Sequence, residues 1–212
     1  MGATSTSHPL FARIYPRVAR AVEARGGSEH RRALLAGLAG AVIEIGAGNG
    51  LNFAHYPASV SRVTAVEPEP RLRALAERAA SAAPVPVRVL DGVAQALPAG
   101  DGEFEAAVFS LVLCSVPDQR LALAEARRVL IPGGELRFYE HVRSADARRA
   151  RIQRLLDASI YPTLAAGCHC SRDTVGAIEQ AGFEVVSLER AAIRGEGPRP
   201  LLPHVLGLAR RL

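Results

Sequence analysis

Short apolar runs alternate with longer amphipathic segments along most of the chain. The runs have the length of buried strands and predict seven of them, at residues 41–45, 62–66, 86–90, 105–113, 135–142, 183–190 and 204–208. Apolar residues at helical spacing predict helices between them, at residues 51–56, 71–83, 118–130, 146–164 and 171–181. Strands that alternate with helices predict an α/β fold with a doubly wound, mostly parallel, seven-stranded sheet.

The segment before the first predicted strand is amphipathic. Its apolar residues recur at helical spacing: Phe11, Ile14, Val18 and Val22. A glycine break follows at residues 26–28, and a second helix is predicted at residues 31–38. We therefore predict an N-terminal helical lid over residues 1–40 and a main domain over residues 41–212. The same pattern also fits helices that only cover an edge of the sheet.

The first predicted strand ends in a loop that has glycine at every second position: Gly46, Gly48 and Gly50. Glycine permits backbone angles closed to other residues and lets a ligand approach the backbone closely. A dinucleotide fingerprint, G-x-G-x-x-G, requires its third glycine at position 51, where this chain has leucine. The chain also contains no lysine, so it lacks a Tyr-x-x-x-Lys pair. The loop thus indicates a nucleoside-bearing cofactor and argues against a nicotinamide dehydrogenase.

Candidate ligand-binding residues also stand at the ends of the next predicted strands, at the edge where a doubly wound sheet binds ligands. Glu67, followed by Pro68, ends the second strand, where a carboxylate can accept hydrogen bonds from both hydroxyls of a ribose. The ends of the third and fourth strands add Asp91, Gly92, Val93, Ser110 and Leu111. These residues follow the glycine loop in the order that one cofactor site at this edge requires.

The pattern E-x-G-x-G-x-G from Glu44 to Gly50 resembles motif I of the class I S-adenosylmethionine-dependent methyltransferases. Residues 127–134 are similar to the R-V-L-K-P-G-G turn before the fifth strand of that family. The resemblance implies a Rossmann-like methyltransferase fold and S-adenosyl-L-methionine as cofactor. It also implies that the Asp91 carboxylate accepts from the adenine amine and that the backbone of Ser110 and Leu111 passes beside the methionine portion.

The rest of the chain resembles one branch of this superfamily, the methyltransferase-like 7 proteins, which are thiol S-methyltransferases. The residues that carry this resemblance are 52–53, 56–57, 111–116, 139–142, 167–168, 172, 181–183, 199–200 and 203–204. The resemblance implies methyl transfer to a small-molecule acceptor, and within that class to a thiol. Animal members carry an N-terminal hydrophobic anchor, whereas this chain begins with polar residues. We therefore expect a cytoplasmic protein without a membrane span.

The acceptor side of the site offers one candidate base. His141 ends the fifth predicted strand and can take a proton near neutral pH. A histidine that only shapes the pocket by hydrogen bonding is an equal alternative, because a thiol with a pKa of about 8.5 supplies some thiolate without a base. Cys114, nearby on the loop after the fourth strand, is expected to be a small buried hydrophobe, since direct transfer needs no enzymatic nucleophile.

Composition restricts the remaining partners. The net charge of +5 comes from scattered arginines with an aromatic content of 5%, so we expect no nucleic-acid partner. Residues 168–170, Cys-His-Cys, form half of a metal-binding pattern without a second pair at a matching spacing, so we expect no metal. Two functional alternatives stay open. One is a C-, O- or N-methyltransferase acting on a quinone-type ring or a phospholipid, and the other is a non-catalytic cofactor-binding protein.

Overall fold

A computed structural model describes residues 12, 13, 15, 19, 21–191, 195 and 200–212 of the chain. The strands are β1 (Gly40–Ile45), β2 (Val60–Val66), β3 (Val87–Leu90), β4 (Phe104–Ser110), β5 (Leu130–His141), β6 (Phe183–Ala191) and β7 (His204–Arg211). The helices are α1 (Ser28–Leu35), α2 (Pro70–Ala80), α3 (Gln119–Val129), α4 (Ala147–Asp157), α5 (Tyr161–Leu164) and α6 (Thr174–Gln180).

All seven strands belong to one sheet, in the order β3-β2-β1-β4-β5-β7-β6. The four pairings from β3 across the sheet to β5 are parallel, and β7 runs antiparallel to both β5 and β6. The predicted α/β fold with a doubly wound, mostly parallel, seven-stranded sheet is therefore confirmed. The strand order reverses between β1 and β4, and such a reversal opens a crevice at the carboxyl ends of the strands.

Two hydrophobic clusters cover the two faces of the sheet. Consecutive residues of β1 alternate between them, since Val42 belongs to one cluster and Ile43 to the other. The cluster around Ile43 includes residues of α3 and α6, and the cluster around Val42 includes residues of α1 and α2. The central strands are thus buried on both sides, as a parallel sheet requires.

Three local predictions are wrong. The helix predicted to open at residues 51–56 is only a 3₁₀ turn, Phe53–His55, because Tyr56, which precedes Pro57, is extended and ends it. The periodicity of residues 118–130 predicts Leu121 on the apolar side of the helix, but Leu121 is 41% exposed, whereas Ala122 and Leu123 are buried. The start of the helix predicted at residues 171–181 makes Ser171 the expected N-cap, but the N-cap of α6 is Asp173, which accepts a hydrogen bond from the amide of Gly176.

The predicted N-terminal lid is described only in part. Phe11, Ile14 and Val18, which carry the amphipathic pattern, lie outside the described residues. The predicted glycine break is present as a π-helical turn, Glu23–Gly27, in which Gly26 has a φ of 111°. The division into a lid and a main domain stays a prediction.

Across the described ranges, α2, α3 and α4 are each only 11 residues long. No helix within those ranges is both long and apolar enough to cross a bilayer.

Gly207 of β7 tests how tightly the antiparallel end of the sheet is packed. It lies opposite Phe138 of β5, whose fully buried ring occupies the space that a Cβ on Gly207 would need. We expect Gly207→Ala to lower the free energy of unfolding by about 1–3 kcal/mol through overpacking. Urea denaturation measures the change. Gly100→Ala is the control, because a Cβ there meets nothing closer than 3.6 Å. Equal effects at both positions would refute the packing argument.

Candidate active site

A cleft lies at the carboxyl ends of β1, β2 and β4, next to the point where the strand order reverses. Eight of the eleven predicted cofactor residues line it: Gly46, Gly48, Glu67, Pro68, Gly92, Val93, Ser110 and Leu111. The described residues that line the cleft do not include Glu44, Gly50, Asp91 or the predicted base His141. The fold thus collects residues from four strand ends into one cavity, while their individual roles stay predictions.

The glycine loop has left-handed backbone at each glycine, with φ angles of 72°, 57° and 79° at Gly46, Gly48 and Gly50. A Cβ on Gly48 would point toward the ring of Tyr15, at 3.4 Å, on the cavity side of the loop. A Cβ on Gly50 would instead lie 2.8 Å from Phe53 and from Ala79. The second glycine therefore leaves space beside a ligand, and the third allows the loop to pack against the protein.

Glu67 is fixed by the backbone around it. Its carboxylate accepts hydrogen bonds from the amide of Gly48, at 2.8 Å, and from the amide of Glu69, at 2.9 Å. Burial raises the pKa of Glu67, and these two amides oppose that rise. Each carboxylate oxygen has a second lone pair. Since Glu67 lines the cavity, it can accept from two neighbouring hydroxyl groups of a ligand while it holds the glycine loop.

Glu44 does not line the cavity but binds residues that follow the glycine loop. Its carboxylate accepts from the Asn52 amide, at 2.9 Å, and from the Tyr56 hydroxyl, at 2.7 Å. Burial raises the pKa of Glu44 to about 7, although both hydrogen bonds and the charge of Arg31 oppose the rise. Arg31 in turn donates to Asn52, at 2.8 Å, and to Ser110, at 3.2 Å. This buried network connects α1 with the ends of β1 and β4.

Glu140 of β5 has a structural role that no sequence motif assigns to it. Its fully buried carboxylate accepts from three consecutive amides of the loop after β4, those of Val112, Leu113 and Cys114, at 2.8, 2.9 and 3.2 Å. Burial raises the pKa of Glu140, and the three amides oppose the rise. An acidic residue near the carboxyl end of a predicted strand, as at Glu67, is the sequence signal that could have indicated this role.

Two residues other than glycine have positive φ within the described part of the chain: Leu111, at 61°, and Ala166, at 49°. Both line the cavity. Such backbone costs about 1–3 kcal/mol and persists where the surrounding structure imposes it. At Leu111 the amide donates to the carbonyl of Tyr139, at 2.7 Å, and the next three amides are held by Glu140. The loop after β4 is thus held in a strained shape against the cavity.

Asp91 does not belong to the residues that line the cavity. Its carboxylate forms an ion pair with Arg73, at 2.9 Å, and its side chain is 72% exposed. The guanidinium of Arg73 also donates to the carbonyls of Glu67 and Pro68. The contact between Asp91 and the adenine stays a prediction, and the ion pair with Arg73 competes with it. The neighbouring Gly92 and Val93 are the residues of this strand end that face the cavity.

His141 ends β5 as predicted, and its imidazole ring lies next to the thiols of two cysteines. Its Nδ1 lies 3.6 Å from Sγ of Cys114 and 3.7 Å from Sγ of Cys168. Cys114 is 1% exposed, which confirms the expected burial of that thiol. A role of His141 as general base stays a prediction, because these contacts place its Nδ1 against protein thiols outside the lining of the cleft.

Comparison with known proteins shows which proteins this chain is similar to. Residues 43–138 match the family model described as a methyltransferase domain. Mouse thiol S-methyltransferase TMT1B is 36% identical over 179 residues, covering 80% of this chain and 70% of that protein. Human thiol S-methyltransferase TMT1A is 34% identical over 183 residues, covering 79% and 69%. The solved structure of geranyl diphosphate methyltransferase in complex with SAM superposes with a TM-score of 0.68 at 14% identity, covering 95% of this chain and 90% of that one.

The domain match and the fold identify S-adenosylmethionine as the cofactor. The cavity fits this molecule on three observations. Glu67 offers a buried carboxylate to a diol, Gly48 leaves space beside the loop backbone, and Val66, Leu72 and Val93 supply apolar walls for a base. A nucleoside with an amino-acid tail needs these features and needs no site for a pyrophosphate.

The raised pKa of Glu44 makes stability depend on pH. The folded state retains the Glu44 proton above the unfolded pKa of 4.5, so stability falls as pH rises from 4.5 to about 7 and is then constant. This shift corresponds to about 3 kcal/mol. We expect Glu44→Gln to remove that part of the slope. Urea denaturation at several pH values measures the slope. Identical slopes in the Glu44 variant and the wild type would contradict the assignment.

Glu67 and Asp91 give a paired test of the cofactor site. Because Glu67 faces the cavity, we expect Glu67→Ala to weaken binding of S-adenosylhomocysteine by about 1–3 kcal/mol. Because Asp91 pairs with Arg73 at the surface, we expect Asp91→Ala to change affinity by less than about 0.5 kcal/mol. Titration calorimetry gives both values, and thermal unfolding checks that each variant is folded. A larger loss at Asp91 than at Glu67 would reverse our assignment.

Proposed function

Because this chain belongs to the thiol S-methyltransferase family of S-adenosylmethionine-dependent methyltransferases, we propose that its acceptor is the sulfur of a small-molecule thiol. The family membership rests on the relatives that share 34% and 36% identity over about four fifths of the chain. Methylation of a small molecule with S-adenosylmethionine follows from membership, and the choice of a thiol is our proposal. The observation that supports a thiol is the small number of ionisable side chains in the cavity wall.

The wall has few groups that could deprotonate an acceptor. Its ionisable side chains, among the residues described, are Tyr15, Glu67 and Glu69, with no histidine, lysine or arginine. Burial raises the pKa of Tyr15, so this phenol stays protonated near neutral pH. A thiol has a pKa of about 8.5, compared with about 10 for a phenol and 10.4 for an alkyl amine. A thiol is thus the acceptor that forms its own nucleophile most readily in such a cavity.

The chain contributes position and desolvation rather than acid–base chemistry. S-adenosylmethionine supplies a methyl group already activated by its positive sulfur. Glu67 and the glycine loop would hold the nucleoside, and the strained loop at Leu111 would fix the neighbouring wall. Ala165, Ala166 and Val116 form an apolar wall that favours a neutral, apolar acceptor and excludes water. Alignment of two reactants in this way is worth up to about 7–11 kcal/mol.

We also propose that the segment before β1 covers the cavity as a lid. Tyr15 lines the cavity directly. Arg31 of α1, which is 6% exposed, binds both Asn52 and Ser110 and so ties this segment to the loops of the site. These contacts support a lid more than a segment that only covers a sheet edge.

A cytoplasmic location also stays a proposal. The three cysteines, Cys114, Cys168 and Cys170, are buried and carry free thiols. Proteins that keep such thiols unpaired are typical of reducing compartments.

The acceptor is tested by following methyl transfer to thiols, phenols, quinols and amines of similar size. We expect turnover with thiols, and kcat/KM should rise about tenfold per pH unit up to the pKa of the thiol used. Thiols of lower pKa should move this inflection to lower pH by the same amount. An inflection that stays at one pH for all thiols would show that a protein base controls the reaction.

The Glu67→Ala variant gives the background in the same assay, because it lacks the carboxylate proposed to hold the cofactor. Turnover confined to quinols or amines would establish the alternative acceptor class. Cofactor binding without turnover on any acceptor would favour a non-catalytic binding protein.

A further inference from the structure

Two cysteine sulfurs and one histidine nitrogen lie close together near the cavity wall formed by Ala165 and Ala166. Cys114 follows β4, His141 ends β5, and Cys168 follows α5. The two sulfurs and Nδ1 of His141 all lie within 4.8 Å of one another, and the two cysteines are 1% and 5% exposed. Within the ranges that the structure describes, this is the one group of three residues whose ligand atoms converge in this way.

The two distances from Nδ1 match edges of a zinc coordination tetrahedron. With Zn–S bonds of about 2.3 Å and Zn–N bonds of about 2.0–2.1 Å, a sulfur and a nitrogen at a tetrahedral angle lie about 3.6 Å apart, and two sulfurs about 3.8 Å apart. The separations between Nδ1 and the two sulfurs are 3.6 and 3.7 Å. Little movement is therefore needed for these atoms to bind one ion.

Hydrogen bonding is the alternative explanation of the arrangement, and Sγ of Cys114 also lies 3.5 Å from Oγ of Ser115. Nδ1 of a neutral histidine has either one lone pair or one proton, so it forms one strong hydrogen bond in the ring plane. Here two thiols lie at nearly the same distance from that single nitrogen. A metal ion satisfies all three atoms at once.

We propose that Cys114, His141 and Cys168 bind one Zn²⁺ ion. Two thiolates and a neutral imidazole are zinc ligands, and the two negative charges balance the ion, so the buried site gains no net charge. Three protein ligands leave a fourth tetrahedral position for water or another small ligand. This inference concerns metal binding and holds whichever acceptor the enzyme methylates.

Backbone contacts already hold the ligands in place. The amide of His169 donates to the carbonyl of Cys114, at 2.8 Å, which joins the segment after α5 to the loop after β4. Arg172 donates to the carbonyls of Leu113 and Val116, both at 2.7 Å, on either side of Cys114. Pre-formed support of this kind is what metal ligands require. The ion would strengthen the same connection and so stabilise the cavity wall at Ala165 and Ala166.

The test is zinc binding by the full chain, purified with reductant and stripped with a chelator. We expect one Zn²⁺ per chain by elemental analysis after reconstitution, a rise in Tm on adding zinc, and thiolate-to-metal charge-transfer absorption with Co²⁺. Cys114→Ser and Cys168→Ser should each abolish stoichiometric binding and the Co²⁺ band. Since a serine in the core can destabilise the fold, circular dichroism of each variant accompanies the titration.

Matched controls lie next to the ligands in sequence. Cys170→Ser changes a thiol that donates to Asp157, at 3.3 Å, rather than to His141, and His169→Asn removes an imidazole outside the cluster. Both should retain one Zn²⁺ per chain. The proposal is overturned if the wild type binds zinc no better than the double variant of Cys114 and Cys168. It is also overturned if the controls lose binding equally, or if the purified protein carries a Cys114–Cys168 disulfide and no metal.

Discussion

The site depends on three carboxylates buried at the carboxyl edge of the sheet. Glu44 in β1, Glu67 just after β2 and Glu140 in β5 are 2%, 6% and 0% exposed. A buried carboxylate is costly unless donors satisfy it, and the donors here are side chains or amides of neighbouring loops. Each carboxylate can be buried only when a neighbouring loop supplies its donors, and the same hydrogen bonds hold that loop in place. The raised pKa values show that this compensation is incomplete.

This constraint explains why the cavity keeps strained backbone. Leu111 has positive φ at the end of β4, and the three amides that follow it converge on Glu140. The same loop receives the guanidinium of Arg172 on its carbonyls. With both its amides and its carbonyls engaged, the loop cannot relax without leaving buried polar groups unsatisfied. Rigid placement of a reacting group is what methyl transfer by alignment needs.

The fold and the cofactor half were predictable because their signals are local. Apolar runs mark the strands, and the glycines from Gly46 to Gly50 mark the loop, each within a few residues. The rest of the site depends on distant contacts. The sequence does not show that Arg73, 18 residues earlier, binds the Asp91 carboxylate at the surface. Glu140 acts on amides 26–28 residues away, which no local pattern reveals.

The group of Cys114, His141 and Cys168 also depends on distant contacts. A search for closely spaced ligands in the sequence therefore misses it. Local motifs predict zinc from ligands two to four residues apart, whereas Cys114, His141 and Cys168 are separated by 27 residues each time. Neighbouring parallel strands end at one edge of the sheet, so a residue just after β4 and the last residue of β5 become neighbours in space. The third residue arrives through a returning segment anchored on the carbonyl of Cys114. The glycine loop is recognisable in the sequence because its residues are contiguous. The residues of this group come from separate strand ends and loops, so only the folded chain shows that they are neighbours.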